Sequence, residues 1–171
     1  IITIGREYGT GGREIGQKLA LRLGVPFYDR ELITRAAKKT GFDEKLFEQL
    51  DKRATNSFLY SLTMFGSVGL NGMSLTDQLY LAQSNIIREM AEDSSCVIVG
   101  RCADHVLRDF PNKFDFFIHG SIEDRVKRVQ TCGDYVIEGK TPEAALEKMD
   151  KQRSTYYNYY TGKVWGKCDH Y

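Results

Sequence analysis

The first sixteen residues constrain this chain more than any other stretch. Ile1-Ile2-Thr3-Ile4 is a short β-branched run that stops at Gly5, and Gly9, Gly11, Gly12 and Gly16 follow closely. Apolar residues at consecutive positions mark a strand buried on both faces, which suits the centre of a parallel sheet. Behind the glycines, Ile15, Leu19, Leu21 and Leu23 recur at roughly helical spacing until Gly24 and Pro26 end the segment. The order is therefore strand, glycine-rich turn, helix. Small residues at such a junction let backbone N–H groups converge on an anion, and the helix start adds a positive dipole end. Glycines kept only for tight packing are the competing reading, and the strand and helix context disfavours it. The candidate cradle is Gly9, Thr10, Gly11, Gly12, Arg13 and Glu14, with Arg13 supplying a full charge.

The remaining pattern repeats strand and helix. Pro26-Phe27-Tyr28 forms a brief second strand, and Asp29 is placed to cap a helix carrying Leu32, Ile33 and Ala36. From Asp43 to Glu92 the pattern is mostly helical. The runs Cys96-Val97-Ile98-Val99 and Phe114 to His119 read as further buried strands. Ser121 with Asp124 resembles a capping box, and Thr141-Pro142-Glu143 starts a helix expected to reach about Tyr157. Strands separated by helices imply parallel βαβ units. Residues 1–171 read as one domain, expected to lack some C-terminal residues because the sequence stops in a polar, aromatic stretch.

Charge and composition narrow the ligands. With 24 basic against 23 acidic residues the net charge is +1, so no global field is available to hold a nucleic-acid polymer, and any anion must meet a local site. No apolar run approaches the roughly 20 residues of a membrane helix. Cys96, Cys102, Cys132 and Cys168 lack paired metal-ligand spacing and read as reduced thiols of a cytoplasmic protein. His105, His119 and His170 are scattered, so no protein-built metal site is assigned. The apolar stretch from Phe58 to Leu70 serves either the core or a contact between subunits of a homo-oligomer.

The glycine loop departs from the phosphate-loop pattern G-x-x-x-x-G-K-[ST]. Gly12 or, one register on, Arg13 stands where the lysine belongs, and Glu14 replaces the serine or threonine. Arg13 is then a substitute cation. Four segments, ITIGREYGTGGREIG (2–16), GVPFYDRELI (24–33), VIVGRCADHVL (97–107) and YYNYYTGKVWG (156–166), resemble the cytidylate kinase-like family of P-loop nucleoside-monophosphate kinases. The resemblance runs along the whole chain. It implies a five-stranded parallel α/β sheet of P-loop kinase type flanked by helices, with an acceptor-binding insertion and a C-terminal lid. ATP and a nucleoside monophosphate, CMP or dCMP first, are the implied ligands, with Mg²⁺ bound mainly through ATP.

The family's acceptor motif, an aspartate followed six residues later by a phosphate-binding arginine, falls on Asp29 and Arg35. Its Gly-Arg pair after a central strand falls on Gly100 and Arg101, where a planar guanidinium suits a phosphate. Cys102 stands in place of the family's next aspartate, with Asp104 as an imperfect substitute, and Val99 replaces the acid that helps organise Mg²⁺. In the lid region Arg153 is the candidate to close on the transferred group, beside Arg13 and Arg101 as catalytic cations. A P-loop kinase for another small substrate, or a nucleotide-binding regulatory module without catalysis, stands as the alternative.

Overall fold

A computed structural model describes residues 1–29, 75–133, 135 and 141–171. Within them lie β1 (Ile2–Arg6), α1 (Gly12–Leu23), β2 (Phe27–Tyr28), α2 (Leu75–Asp93) and β3 (Val97–Val99). They are followed by α3 (Ala103–Val106), β4 (Phe114–Ile118), α4 (Ile122–Thr131), α5 (Pro142–Thr161) and a 3₁₀ turn at Cys168–His170. The expected helix after Asp29, Arg35 and the apolar stretch 58–70 lie outside the described residues.

The described strands form a four-stranded parallel sheet in the order β2-β3-β1-β4, flanked by helices. The resemblance implied five strands, and four fall among the described residues. β1 is central, as its β-branched run predicts: Thr3 and Ile4 are buried, with Ile2 opposite Val97 on one side and Phe114 on the other. The strand does not stop at Gly5. Pairing of Gly5 with Phe117 and Arg6 with Ile118 carries it on, because β4 outruns β3.

Two sequence expectations are corrected by packing. In α1 the buried stripe is Gly12, Gly16 and Ala20, whereas Leu21 and Leu23 are exposed. A Cβ added at Gly16 would lie 2.7 Å from Val99 and 3.2 Å from Ile4, so the helix sits too close to the sheet for large residues. Phe114 to His119 does form a strand, but not one buried on both faces. Phe114 is 63% and Phe116 50% exposed, because β4 is the edge of the described sheet and α1 covers Ile4, Val97 and Val99 instead.

On the opposite face Ile87, Ala91, Ile98, Ala103 and Leu107 bury a second cluster joining α2, β3 and α3. Full burial of each large aliphatic side chain contributes about 1.5–3 kcal/mol. The caps are as the sequence marks them. Ser121 Oγ accepts from the Asp124 N–H at 3.1 Å and donates to its carboxylate, and Thr141 Oγ1 accepts from Ala144 N–H at 3.2 Å. α5 runs past Tyr157 to Thr161, where left-handed Gly162 ends it.

Candidate active site

In open parallel sheets, ligands bind outside the carboxyl ends of the strands. There, β1 and β3 open on a cavity of about 120 Å³. Met149, Gln152, Arg153 and Tyr156 wall it from one face of α5, at the i, i+3, i+4, i+7 spacing of a helix. Among the described residues, three arginines line it: Arg6, Arg101 and Arg153.

Each arginine is placed by a different local device. Arg6 ends β1 on the same face as Ile2 and Ile4, over the start of α1. Its stem lies where a Cβ on Gly12 would come within 2.7 Å, and its guanidinium lies against Gly100, so both glycines leave room for it. Arg101 sits in a tight turn in which Arg101 and Cys102 have φ of 57° and 55°, closed by Ala103 N–H donating to Gly100 C=O at 3.1 Å. That turn places two successive non-glycine residues at left-handed φ, a conformation costing about 1–2 kcal/mol at each. Arg153 reaches from α5 to donate to Arg6 C=O at 3.1 Å, and its guanidinium stacks 5.1 Å from the centre of the Tyr8 ring.

Asp104 lines the same cavity and accepts from Tyr157 Oη at 2.6 Å. Burial raises its carboxyl above the ordinary aspartate range, against the lowering effect of the Tyr157 hydrogen bond. Cys102, also on the wall, is no nucleophile at neutral pH, since burial pushes its thiol far up. Among the described lining residues, three guanidinium groups accompany one carboxyl, a balance suited to an anion.

The glycine loop lies beside this cavity and is held from above by α4 and α5. Tyr8 N–H donates to Asp150 Oδ1 at 2.7 Å, while Tyr8 C=O accepts from Arg125 Nε at 2.8 Å. Arg125 also pairs with Asp150 and lies 3.4 Å from Glu7. Gly9 and Gly11 have φ of 83° and 76°, and Gly11 is the N-cap of α1. The first intrahelical bond comes from Ile15 N–H to Gly11 C=O, so the N–H groups of Gly12, Arg13 and Glu14 belong to the first turn, which has no acceptor within the helix. The Arg128 guanidinium packs against Gly11, where an added Cβ would lie 2.7 Å from Cζ.

Several predicted residues meet in unexpected pairs. Arg13 Nε donates to the buried Asp29 at 2.6 Å, joining a donor-side candidate to an acceptor-side one. Glu14 binds Lys18 at 2.6 Å and pairs with Arg128, and these cations hold its carboxyl below the usual range. Thr10 Oγ1 donates to Glu7 C=O at 2.9 Å. Arg101, Arg153 and Asp104 share the cavity, whereas Arg35 lies outside the described residues. Sequence reasoning passed over Arg6, Arg125, Arg128 and Asp150. Strand alternation pointed to Arg6, and the i, i+3 spacing of Arg125 and Arg128 just after a strand was the available signal for that pair.

A metal fits less well. Among the described residues no group of three His, Cys, Asp or Glu side chains is placed to hold an ion, and Glu14 and Thr10 already have partners. No helix among them is long and apolar enough to cross a membrane.

Fold and site together define a parallel α/β protein with a glycine-rich strand-to-helix loop and a cationic cavity at the strand ends. The chain belongs to the cytidylate kinase-like family, whose model matches residues 1–171. Membership makes it kinase-like and nucleotide-binding in kind. A crystal structure of an uncharacterized protein from Eubacterium ventriosum is similar, with 31% identity and a TM-score of 0.72 over 99% of this chain and 83% of that one. Comparison with curated proteins finds no match.

Proposed function

We propose that the protein transfers the γ-phosphoryl group of ATP to a nucleoside monophosphate, with CMP or dCMP the leading acceptor. The observation that carries this is the convergence of Arg6, Arg101 and Arg153 on one cavity beside the glycine loop. Phosphoryl transfer needs positioning and charge stabilisation more than a protein nucleophile, and arginines at a water-excluding site supply both. In this reading Gly9 to Gly12, with Arg13 and Glu14, hold the donor phosphates. Arg35 and Arg101 grip the acceptor phosphate, Asp29 and Asp104 meet polar groups of the acceptor nucleoside, and Arg153 bridges to the transferred group. Mg²⁺ would arrive on ATP, coordinated chiefly by its phosphates, and supply charge neutralisation.

Coupled ADP release measured against all common ribo- and deoxyribonucleoside monophosphates tests the proposal. The expected result is acceptor-dependent turnover, highest with CMP or dCMP. ADP release that no monophosphate accelerates would overturn it. One observation favours a second reading, a nucleotide-binding module without turnover: the loop carries no lysine, and Arg13 and Glu14 sit in ion pairs. Tight ATP binding without acceptor-dependent ADP release would decide for that reading.

A further inference from the structure

The cavity has two unlike ends. One lies against the glycine loop, where Arg153 of α5 donates to Arg6 C=O and its guanidinium stacks on the Tyr8 ring. One helical turn further along α5, Tyr157 donates to Asp104, and there Trp165 and Tyr171 complete an aromatic wall.

These two rings come from an otherwise exposed segment. Gly162, at φ 68°, ends α5, and Trp165 N–H then donates to Asn158 Oδ1 at 2.9 Å, folding the chain back beside Tyr157. A second turn at Gly166, φ 73°, passes so close to β4 that an added Cβ would lie 3.1 Å from the Phe117 ring. Val164, Lys167, Cys168 and Asp169 face solvent, whereas Trp165 and Tyr171 turn inward, each with its ring centre 5.0 Å from that of Phe117. Gly5 leaves room for Tyr171, since a Cβ there would lie 3.4 Å from its ring. Both rings stay half-buried at the cavity wall.

Aromatic rings at one end and guanidinium groups at the other suit a ligand that is flat at one end and anionic at the other. Aromatic faces stack on planar rings, and an aliphatic phosphate offers them no such partner. We propose that Trp165, with Tyr171 beside it, stacks on the base of a nucleoside monophosphate whose phosphate meets the arginines. This wall then separates nucleotides from other small phosphorylated molecules. That the ligand carries a phosphate rests on the functional reading above, whereas stacking does not require transfer.

Trp165 is the only tryptophan in the sequence, so its fluorescence reports on this wall alone. The full chain is titrated with CMP and with ribose 5-phosphate, which has the sugar and phosphate but no base, and both affinities are measured by calorimetry. CMP should change the emission and bind about tenfold more tightly, and ribose 5-phosphate should leave the emission unchanged. Trp165→Leu should weaken CMP about tenfold without altering ribose 5-phosphate, and Trp165→Phe, which keeps a ring, should restore most of the loss. CMP bound with unchanged emission overturns the inference. So does a Trp165→Leu variant that weakens both ligands alike, as a purely structural role would, or weakens neither. Base-dependent binding through Trp165 without acceptor-dependent ADP release keeps the inference and removes phosphoryl transfer; turnover of CMP with a silent Trp165 does the reverse. A wild-type chain that binds neither ligand removes both.

Discussion

The two sides of the candidate site hold their arginines by different means. Around the glycine loop, Arg13, Arg125 and Arg128 are each matched by a carboxylate, on Asp29, Asp150 and Glu14. Around the cavity, Arg101 donates to the Gln83 amide oxygen at 3.3 Å and Arg153 to the Arg6 carbonyl at 3.1 Å. Arg125, whose side chain is 9% exposed, is fixed by Asp150 as part of the architecture, since removing its partner leaves an uncompensated charge. Glu14 is about half exposed, and its pair with Arg128 contributes less. The loop side is therefore tied by ion pairs to α4 and α5, while the cavity side gathers Arg6, Arg101 and Arg153 at the strand ends.

The largest effect expected from this contrast is on stability, at the loop. Asp150 serves both Tyr8 N–H and Arg125, whose side chain is 9% exposed, so Asp150→Ala should cost about 3 kcal/mol in chemical denaturation. A loss below about 0.5 kcal/mol, the level of a surface change, would break the comparison.

Next comes ligand affinity at the cavity. Arg101→Ala and Arg35→Ala should each weaken CMP binding about ten- to a hundredfold, the loss of a charge-assisted hydrogen bond, while ATP binding stays near wild type. If both grip one phosphate, the double variant should lose less than the sum. Unchanged CMP affinity in both single variants would remove the acceptor assignment.

Arg13 belongs to the loop side, half-exposed and paired with the buried Asp29. Calorimetry with ATP should show Arg13→Ala weaker than Arg13→Lys by up to about tenfold, since the lysine restores charge at the loop. Equal, wild-type affinities for both would assign Arg13 wholly to the architecture of the loop.

The smallest effect is a pH dependence. Burial raises the Asp104 carboxyl in the fold, so the folded state holds its proton to higher pH than the unfolded chain. Below the unfolded value, about 3.9, both states are protonated and there is no penalty; as pH climbs through the folded value the buried charge destabilises the fold. Asp104→Asn should lessen the loss of stability across this rise, measured as the difference between variant and wild type at each pH. Asp150 is shifted in the same direction and cancels in that difference. Parallel profiles would show that Asp104 ionises without cost.

Much of the fold was legible because it depends on local pattern. Consecutive β-branched residues announced β1 and β3, and Ser121 and Thr141 announced α4 and α5 through hydroxyls that serve helix starts within three residues. The exposed β4 and the small-residue stripe of α1 were not legible, because hydrophobicity does not reveal which face a neighbour covers. The same holds within the site. Arg101 and Arg153 were singled out through the family resemblance, and no spacing relates Arg6 to Gly100, or Gln83 to Arg101.

By itself, then, the sequence determined a strand, a glycine loop and a helix in that order, parallel βαβ units, and a set of candidate arginines. The tertiary structure alone decided what those side chains meet, as Arg13 meets Asp29 and Arg153 the Arg6 carbonyl. Local elements are governed by neighbours a few residues apart, whereas Arg125 meets Tyr8 across 117 residues and Arg153 meets Arg6 across 147. What each charge meets depends on contacts of that kind, which exist only once the chain has closed on itself.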